Sequence, residues 1–584
     1  MPQNPSVAEY VVARIAALGI DKVFGVPGDY AFPWNDAIEA SENVEWVGAA
    51  NELNAAYAAD GYARARGAAM LCTTFGPGEL SAINGVMGAL AESVPIFWLV
   101  GLPSSQLRRE GRILHHMLRD GDYRLNSEIC RRATIASTEL TPENAIAETE
   151  RMIHECLTHR KPVYINVPQD FAEMPVVGQP VVGRPIADFV APASNPDQLR
   201  VAAEKIREVV SAANSAVALP SYLVDRHGLA AQLTEFVQAS GIAYATGPMD
   251  KAVVSEASDQ FLGMYVGIIS GPGVKQAVET ADLVIDFDVC FSDENTGAWT
   301  ESVDPAKHLV IGENFVKIGD FHATPVSMAD SLAALIELAP TFAAPRLPAP
   351  EPEVVPGAGD ERVSSAAFYP RLSEFLKPND IVVSETGLSN LKLAEIRMPE
   401  GVTFMNQPLW GSIGWATPCA FGAALADPSR RVVLVTGDGS HQLTANELGV
   451  MGRYGVKPII FLLNNETFGV EELVSNTDIY GHDYNKLAPW NYHEVPAAMG
   501  CADWYSTKVR TVAELDAAMA HAATSKSACF IELDLGVEDL PPSLPVPFLN
   551  RLYGKTPTSS DVLTFAQALA AFAPPAQESQ PSAQ

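Results

Sequence analysis

Residues 431–465 read RVVLVTGDGSHQLTANELGVMGRYGVKPIIFLLNN, and the fold can be worked out from this stretch. The opening run, 431–436, is continuously apolar and β-branched, the composition of a parallel strand buried on both faces. Gly437 and Gly439 flank Asp438 and let the backbone turn sharply and approach a ligand closely, with Ser440 next in line. Helical spacing over 442–453 puts Leu443, Leu448, Val450 and Met451 on one apolar stripe, and Gly455 is a helix stop. A second apolar run, 458–463, predicts another buried strand, which ends at Asn464-Asn465. Two parallel strands joined by a right-handed crossover have their carboxyl ends on the same sheet edge. Asp438 and Asn465 are therefore expected to meet in the crevice where open α/β sheets bind ligands. A carboxylate and an amide oxygen are hard donors, suited to Mg²⁺ sharing its coordination shell with phosphate. A lone Gly-Asp-Gly is usually only a turn. Here it joins a strand end to a helix start, and an Asn pair closes the next strand.

Working outward, the same alternation covers the chain. Helices are predicted at 7–18 and 51–66, with strands at 22–26, 69–74, 96–100 and 163–167 in a first block. A middle block carries strands at 216–219, 281–287 and 308–311. Pro-rich stretches at 174–196 and 339–359 lack helical periodicity and read as linkers. The fold class is α/β, with three doubly wound parallel-sheet domains at 1–180, 197–338 and 360–560 and a polar tail at 574–584. The first and third blocks are similar enough in style to share a fold.

The chain has 584 residues with 70 acidic against 39 basic side chains, a formal net charge of −31. That balance argues against nucleic acid and anionic membranes as partners. It fits either a saline habitat or the ordinary solubility of a large acidic protein. No apolar run is long enough for a membrane span, and no basic-then-apolar leader opens the chain, so a cytoplasmic location is expected. Seven scattered cysteines without a CxxC pair read as buried thiols.

Several further motifs bring a family into view: Gly28-Asp29-Tyr30, Asn51-Glu52-Leu53-Asn54, His115-His116, Trp410-Gly411-Ser412-Ile413-Gly414, Gly437-Asp438-Gly439, and Asn464-Asn465 followed by Glu471. In order and spacing, over nearly the whole chain, they resemble the thiamine-diphosphate-dependent 2-oxo acid decarboxylases, the pyruvate, indolepyruvate and phenylpyruvate group. The resemblance implies a pyrimidine-binding first domain, a structural or regulatory middle domain and a diphosphate-binding third domain. It implies thiamine diphosphate and Mg²⁺ as cofactors, with Asp438, Asn465 and the main-chain carbonyl of Thr467 as metal ligands. It also implies decarboxylation to an aldehyde through the cofactor's ylid and enamine.

By that resemblance Glu52 pairs with the pyrimidine ring, Gly411 offers its carbonyl to the ring's amino group, and Ile413 wedges between the two rings to hold them bent, which is catalysis by proximity. Thr74 lies near the pyrimidine, while Thr386 and Gly387 belong to a diphosphate-contacting loop with Gly437, Gly439 and Ser440. Asp29, His115, His116 and Glu471 form the polar set over the reacting carbon; histidine can relay protons near neutral pH. Glu472 rivals Glu471, which is preferred because it stands six places after Asn465. The pyrimidine and diphosphate half-sites come from different chains in the family. A homodimer at least, extending to a homotetramer, is thus expected, with a small-molecule 2-oxo acid as substrate.

Three departures from the family pattern stand out, the first bearing on the metal loop and the other two on the substrate. Thr467 stands where Gly is frequent. Asn390 stands where pyruvate-specific members have Trp, and Val470 and Val474 where they have Ile. Smaller side chains widen a pocket, at about 1–3 kcal/mol of discrimination per methylene. Aromatic or branched 2-oxo acids, or a broad range, are thus expected ahead of pyruvate alone. A flavin-containing acetohydroxyacid-synthase-like carboligase is a further alternative; His115-His116 favours decarboxylation over it. A scaffold that merely kept the fold is disfavoured by intact Glu52 and Glu471.

Overall fold

The computed structural model describes residues 4–181, 193–342, 355–475, 482–537 and 539. The 574–584 tail, much of both Pro-rich stretches and the end of the 360–560 block lie outside the described residues, as does the side chain of Val474.

Among the described residues three sheets form, one per block. The first contains β1 (Lys22–Gly25), β2 (Glu45–Gly48), β3 (Ala69–Thr74), β4 (Ile96–Leu102), β5 (Ala136–Glu139) and β6 (Val163–Pro168). Its order is β2-β1-β3-β4-β6-β5, and every pair in it is parallel. The middle sheet holds β7 (Ala216–Leu219), β8 (Ala243–Thr246), β9 (Phe261–Met264), β10 (Leu283–Asp286), β11 (His308–Ile311), β12 (Val316–Ile318) and β13 (Phe321–Ala323). The third holds β14 (Ile381–Ser384), β15 (Thr403–Met405), β16 (Val432–Gly437), β17 (Ile459–Asn464), β18 (Tyr505–Val509) and β19 (Cys529–Asp534), ordered β15-β14-β16-β17-β19-β18. The first and third sheets thus have the same parallel topology, strand for strand. The middle sheet departs from the expected all-parallel pattern: β11, β12 and β13 pair antiparallel at one edge, because connections of only a few residues cannot make a crossover.

The central strands β3, β4 and β6 are buried throughout, as are β16 and β17 except for Gly437. The single helix expected over 442–453 is instead two, Asp438–Thr444 and Glu447–Arg453. The first starts directly at the strand end. The break at Ala445 and Asn446 accompanies tertiary bonds that a continuous helix would forgo: Thr444 Oγ1 donates to the Gly414 carbonyl (2.7 Å), and Asn446 Oδ1 accepts from Asn54 Nδ2 (3.0 Å). In consequence Leu443, expected on the buried stripe, is 54% exposed, while Leu448 and Met451 are fully buried.

The first and third blocks share one hydrophobic core, joined by two Ala-rich helices, Glu52–Arg66 and Ala416–Ala426. The helices meet backbone to backbone. A Cβ on Gly61 would stand 2.1 Å from the Cys419 carbonyl oxygen, and one on Gly422 1.8 Å from that of Ala58. Gly422→Ala would gain about 1 kcal/mol at a free helix position. Here it is expected to cost about 3 kcal/mol, the upper end of overpacking penalties, seen as a lower denaturation midpoint. An unchanged midpoint would show that the helices can separate.

The seven cysteines are unpaired, six of them buried and Cys290 half-buried, short of the expected full burial. Among the described residues no helix is long and apolar enough to cross a membrane.

Candidate active site

In each of the two matching sheets the candidate residues follow the carboxyl ends of the same four strands. In the first sheet, Asp29 follows β1, Glu52 follows β2, Thr74 ends β3, and His115 and His116 follow β4. In the third, Thr386 and Gly387 follow β14, Gly411 and Ile413 follow β15, Asp438 follows β16, and Asn465 follows β17. The strand order reverses between β1 and β3 and between β14 and β16, which are the crevice positions of open α/β sheets.

The third-sheet crevice is a cleft of about 350 Å³. Thr386, Gly387, Gly411, Ile413, Gly437, Asp438, Gly439, Ser440, Asn465, Thr467, Val470 and Glu471 all line it. Gly387 has φ +111°, a conformation that L side chains rarely adopt, at the turn off β14. Asp438 is only 2% exposed. Burial pushes its carboxyl up to about 7, although the backbone N–H groups of Gly439 (2.9 Å) and Glu466 (2.7 Å) donate to it.

Beside it, the side-chain amide of Asn465 presents its oxygen 3.3 Å from Asp438 Oδ1 and 2.8 Å from the Thr467 carbonyl oxygen. With the amide turned over, its nitrogen would donate to both. As it stands, Asn465 Oδ1 faces both of these oxygens and accepts the Thr467 N–H (3.4 Å). An Mg²⁺ octahedron with metal–oxygen bonds of about 2.1 Å has edges of about 3.0 Å, which lies between the two oxygen–oxygen spacings. The donor set therefore fits a hard divalent cation. Glu466, between Asn465 and Thr467, takes a left-handed φ of +61°, which bends the loop at this point. The Thr467 hydroxyl lies within hydrogen-bonding distance of Glu472 Oε1 (3.3 Å) and the Asn485 carbonyl (3.2 Å). Thr467 thus braces the loop. It also separates the two acids: Glu472 is buried beside Thr467, while Glu471 faces the cleft.

Two sequence readings need correction. Asn390 does not line the cleft; it is buried, and its Oδ1 accepts from Asn406 Nδ2 (2.8 Å). The middle block also reaches the site. Asp293 and Glu294 line the cleft, and burial, with Asp293 adjacent, pushes Glu294 up to about 7. Beneath the cleft Glu385 is wholly buried. Desolvation raises it to about 7 despite N–H groups from Thr386 (3.0 Å) and Ala416 (3.3 Å).

The first-sheet candidates gather elsewhere; among the described residues none lines that cleft. His115 Nε2 is 2.8 Å from Asp29 Oδ2, and its Nδ1 is 3.2 Å from the Tyr30 hydroxyl, whose ring stacks on the imidazole. His116 packs edge-on against His115 with centroids 4.6 Å apart, in a left-handed backbone conformation (φ +67°). Thr74 lies against Gly28 and Gly78, and Gly78 also faces Glu52; an added Cβ there would meet Glu52 Oε1 at 3.4 Å. Thr74 Oγ1 is buried with no hydrogen-bond partner among the described residues. Glu52 is half-buried at the first position of its helix, capped by Asn51, whose Oδ1 accepts the Asn54 N–H (2.8 Å). Glu447 pins that helix start, accepting from Asn54 Nδ2 (2.7 Å) and the Ala50 N–H (3.3 Å). It was not foreseen, although the sequence carries a signal for it: four residues after Leu443 and four before Met451, it sets an acid in the middle of the predicted apolar stripe, where a carboxylate needs a partner.

Comparison with known proteins matches three family models: "Thiamine pyrophosphate enzyme, N-terminal TPP binding domain" over residues 5–123, the central domain over 203–338, and the C-terminal TPP binding domain over 385–533. Thiamine pyrophosphate is thiamine diphosphate under another name. An alpha-keto-acid decarboxylase of Mycobacterium ulcerans (strain Agy99) is 36% identical over 554 residues, 94% of this chain and 96% of its own length. Its counterpart in Mycobacterium leprae (strain TN) is 35% identical over 567 residues, 94% and 97%. That of Mycobacterium tuberculosis (strain ATCC 25618 / H37Rv) is 36% identical over 559 residues, again 94% and 97%.

Proposed function

The chain belongs to the thiamine-diphosphate-dependent 2-oxo acid decarboxylases, and from that membership we propose that it converts an aromatic or branched 2-oxo acid to CO₂ and the aldehyde one carbon shorter. The observation that carries the reading is the convergence of Asp438, Asn465 and Thr467 oxygens at one end of an apolar-walled cleft. We assign these three as Mg²⁺ ligands, with Gly437, Gly439 and Ser440 cradling the diphosphate. Thiamine diphosphate, when bound, supplies the carbon nucleophile and the electron sink for decarboxylation.

This chain's residues do the rest. Glu52 would hold the pyrimidine ring and exchange a proton with it, with Thr74 beside it across Gly78. The Gly411 carbonyl would accept from the ring's amino group, and Ile413 would hold the cofactor's rings in place for reaction. Glu471 stands where the substrate carboxylate departs. Asp29, His115 and His116, the first two hydrogen-bonded and the two imidazoles edge to face, would supply the proton that completes the aldehyde. Leu388, Leu391, Phe468 and Val470 give the cleft an apolar wall, which supports substrates with large apolar side chains over pyruvate alone.

The pyrimidine and diphosphate half-sites occupy separate crevices of one chain, which supports a site built from two subunits: a homodimer at least, extending to a homotetramer. Exposed Leu80, Leu409, Trp410 and Leu443, each close in sequence to a site segment, supply apolar surface for a partner chain to cover. The test is a coupled aldehyde assay across phenylpyruvate, indolepyruvate, branched 2-oxo acids and pyruvate, with and without thiamine diphosphate and Mg²⁺. Cofactor-dependent aldehyde from the bulky acids supports the proposal. Turnover of pyruvate alone would identify a pyruvate decarboxylase, and a flavin-bearing preparation that joins substrates would identify a carboligase.

A further inference from the structure

Gly411 and Ile413 lie in a segment, 406–415, that belongs to no strand or helix, and Gly411 has φ +65°. A glycine loop of this kind has many conformations available, yet the role proposed for it tolerates little movement. Its support comes from the first block. Asn84, on the Pro77–Ala91 helix, donates from Nδ2 to both the Tyr57 hydroxyl (3.0 Å) and Ser412 Oγ (2.9 Å). Those two oxygens are 2.6 Å apart, and Asn84 Oδ1 accepts from Trp410 Nε1 (2.9 Å). The loop is therefore gripped on both flanks of Gly411, at Trp410 and at Ser412. Tyr57 is 1% exposed, on the helix that begins with Glu52.

We infer that Tyr57 and Asn84 are positioning residues for the reaction: through Ser412 and Trp410 they set where the Gly411 carbonyl and the Ile413 side chain meet the cofactor. The inference rests on the roles proposed above for Gly411 and Ile413. Burial pushes the Tyr57 hydroxyl up to about 12, so it stays protonated over the working range. The lattice acts through geometry, and its loss should leave the pH dependence of turnover unmoved. With half-sites from two chains, the Tyr57 helix serves one active site through Glu52 and the other through Ser412, so one substitution disturbs both.

The test uses full-length holoenzyme carrying Tyr57→Phe, Asn84→Ala, Ser412→Ala or Ser412→Thr. Readouts are kcat, its pH profile, the thiamine diphosphate dissociation constant and the near-ultraviolet circular dichroism of the bound cofactor. Misplacing the loop by a fraction of an ångström is expected to lower kcat about 10- to 100-fold in the first three variants while cofactor affinity stays within about threefold. The dichroism should change, the pH profile should superimpose on that of the wild type, and Ser412→Thr, which keeps the hydroxyl, should recover most of the rate. Wild-type kcat and dichroism in Tyr57→Phe would overturn the inference. So would a loss of kcat matched by an equal loss of cofactor affinity, which marks a general structural defect. A wild-type protein that binds cofactor but decarboxylates nothing would refute the proposed function instead, and the dichroism would still report whether Tyr57 shapes the bound cofactor.

Discussion

Glu52→Gln is expected to bind thiamine diphosphate and Mg²⁺ normally and to lose about 10²- to 10⁴-fold in kcat, the range a positioned acid or base contributes. The substitution keeps the shape and the hydrogen-bonding reach of the side chain, so the fold should not notice it. The helix start is held independently by the Asn51 cap and by Glu447, which grips Ala50 and Asn54 on either side. What Gln cannot do is exchange a proton with the pyrimidine ring. The loss should fall on kcat, with little change in the cofactor dissociation constant. Near-normal turnover would remove Glu52 from the mechanism.

Asp438→Asn should fail differently, at cofactor binding. The carboxylate is nearly inaccessible to water, and burial disfavours its charge; a cation restores the balance, and a neutral amide supplies no charge for that cation. Changes outside the ligand set already cost about 10- to 100-fold in metal affinity, so loss of the ligand itself should weaken Mg²⁺-dependent cofactor binding by at least about 100-fold. Dialysis of the wild type against a chelator should abolish activity, and added Mg²⁺ with thiamine diphosphate should restore it; Asp438→Asn should not recover under the same treatment. Tight cofactor binding by metal-free wild type, measured by calorimetry, would contradict the assignment.

The diphosphate half of the site was legible because its signals are local. A buried parallel strand has to be an apolar, β-branched run, and the glycines around Asp438 mark a backbone turn whatever surrounds them. Edge strands carry no such signal. β2, β5, β15 and β18 are largely half-exposed and only three to five residues long, and β5 reads Ala-Ser-Thr-Glu, so the local signal separating them from loops is weak. Contacts between blocks were equally invisible. Glu447 has its partners in the first block and Tyr57 has one in the third, each several hundred residues away. Asn390 was placed in the substrate pocket by position along the chain, but Asn406, sixteen residues on, holds it elsewhere. The helix break at Ala445 has the same origin: the local pattern is helical throughout, and only tertiary hydrogen bonds interrupt it.

The central claim, that each active site draws Glu52 from one chain and Asp438 from another, is tested most directly by complementation. Glu52→Gln and Asp438→Asn chains, each inactive alone, are co-expressed and purified together. Random pairing makes about half of the dimers mixed, and each mixed dimer has one site with both residues intact, so about a quarter of wild-type specific activity should return. Activity no higher than that of the two variants assayed separately would place both residues of a site on the same chain and contradict the account.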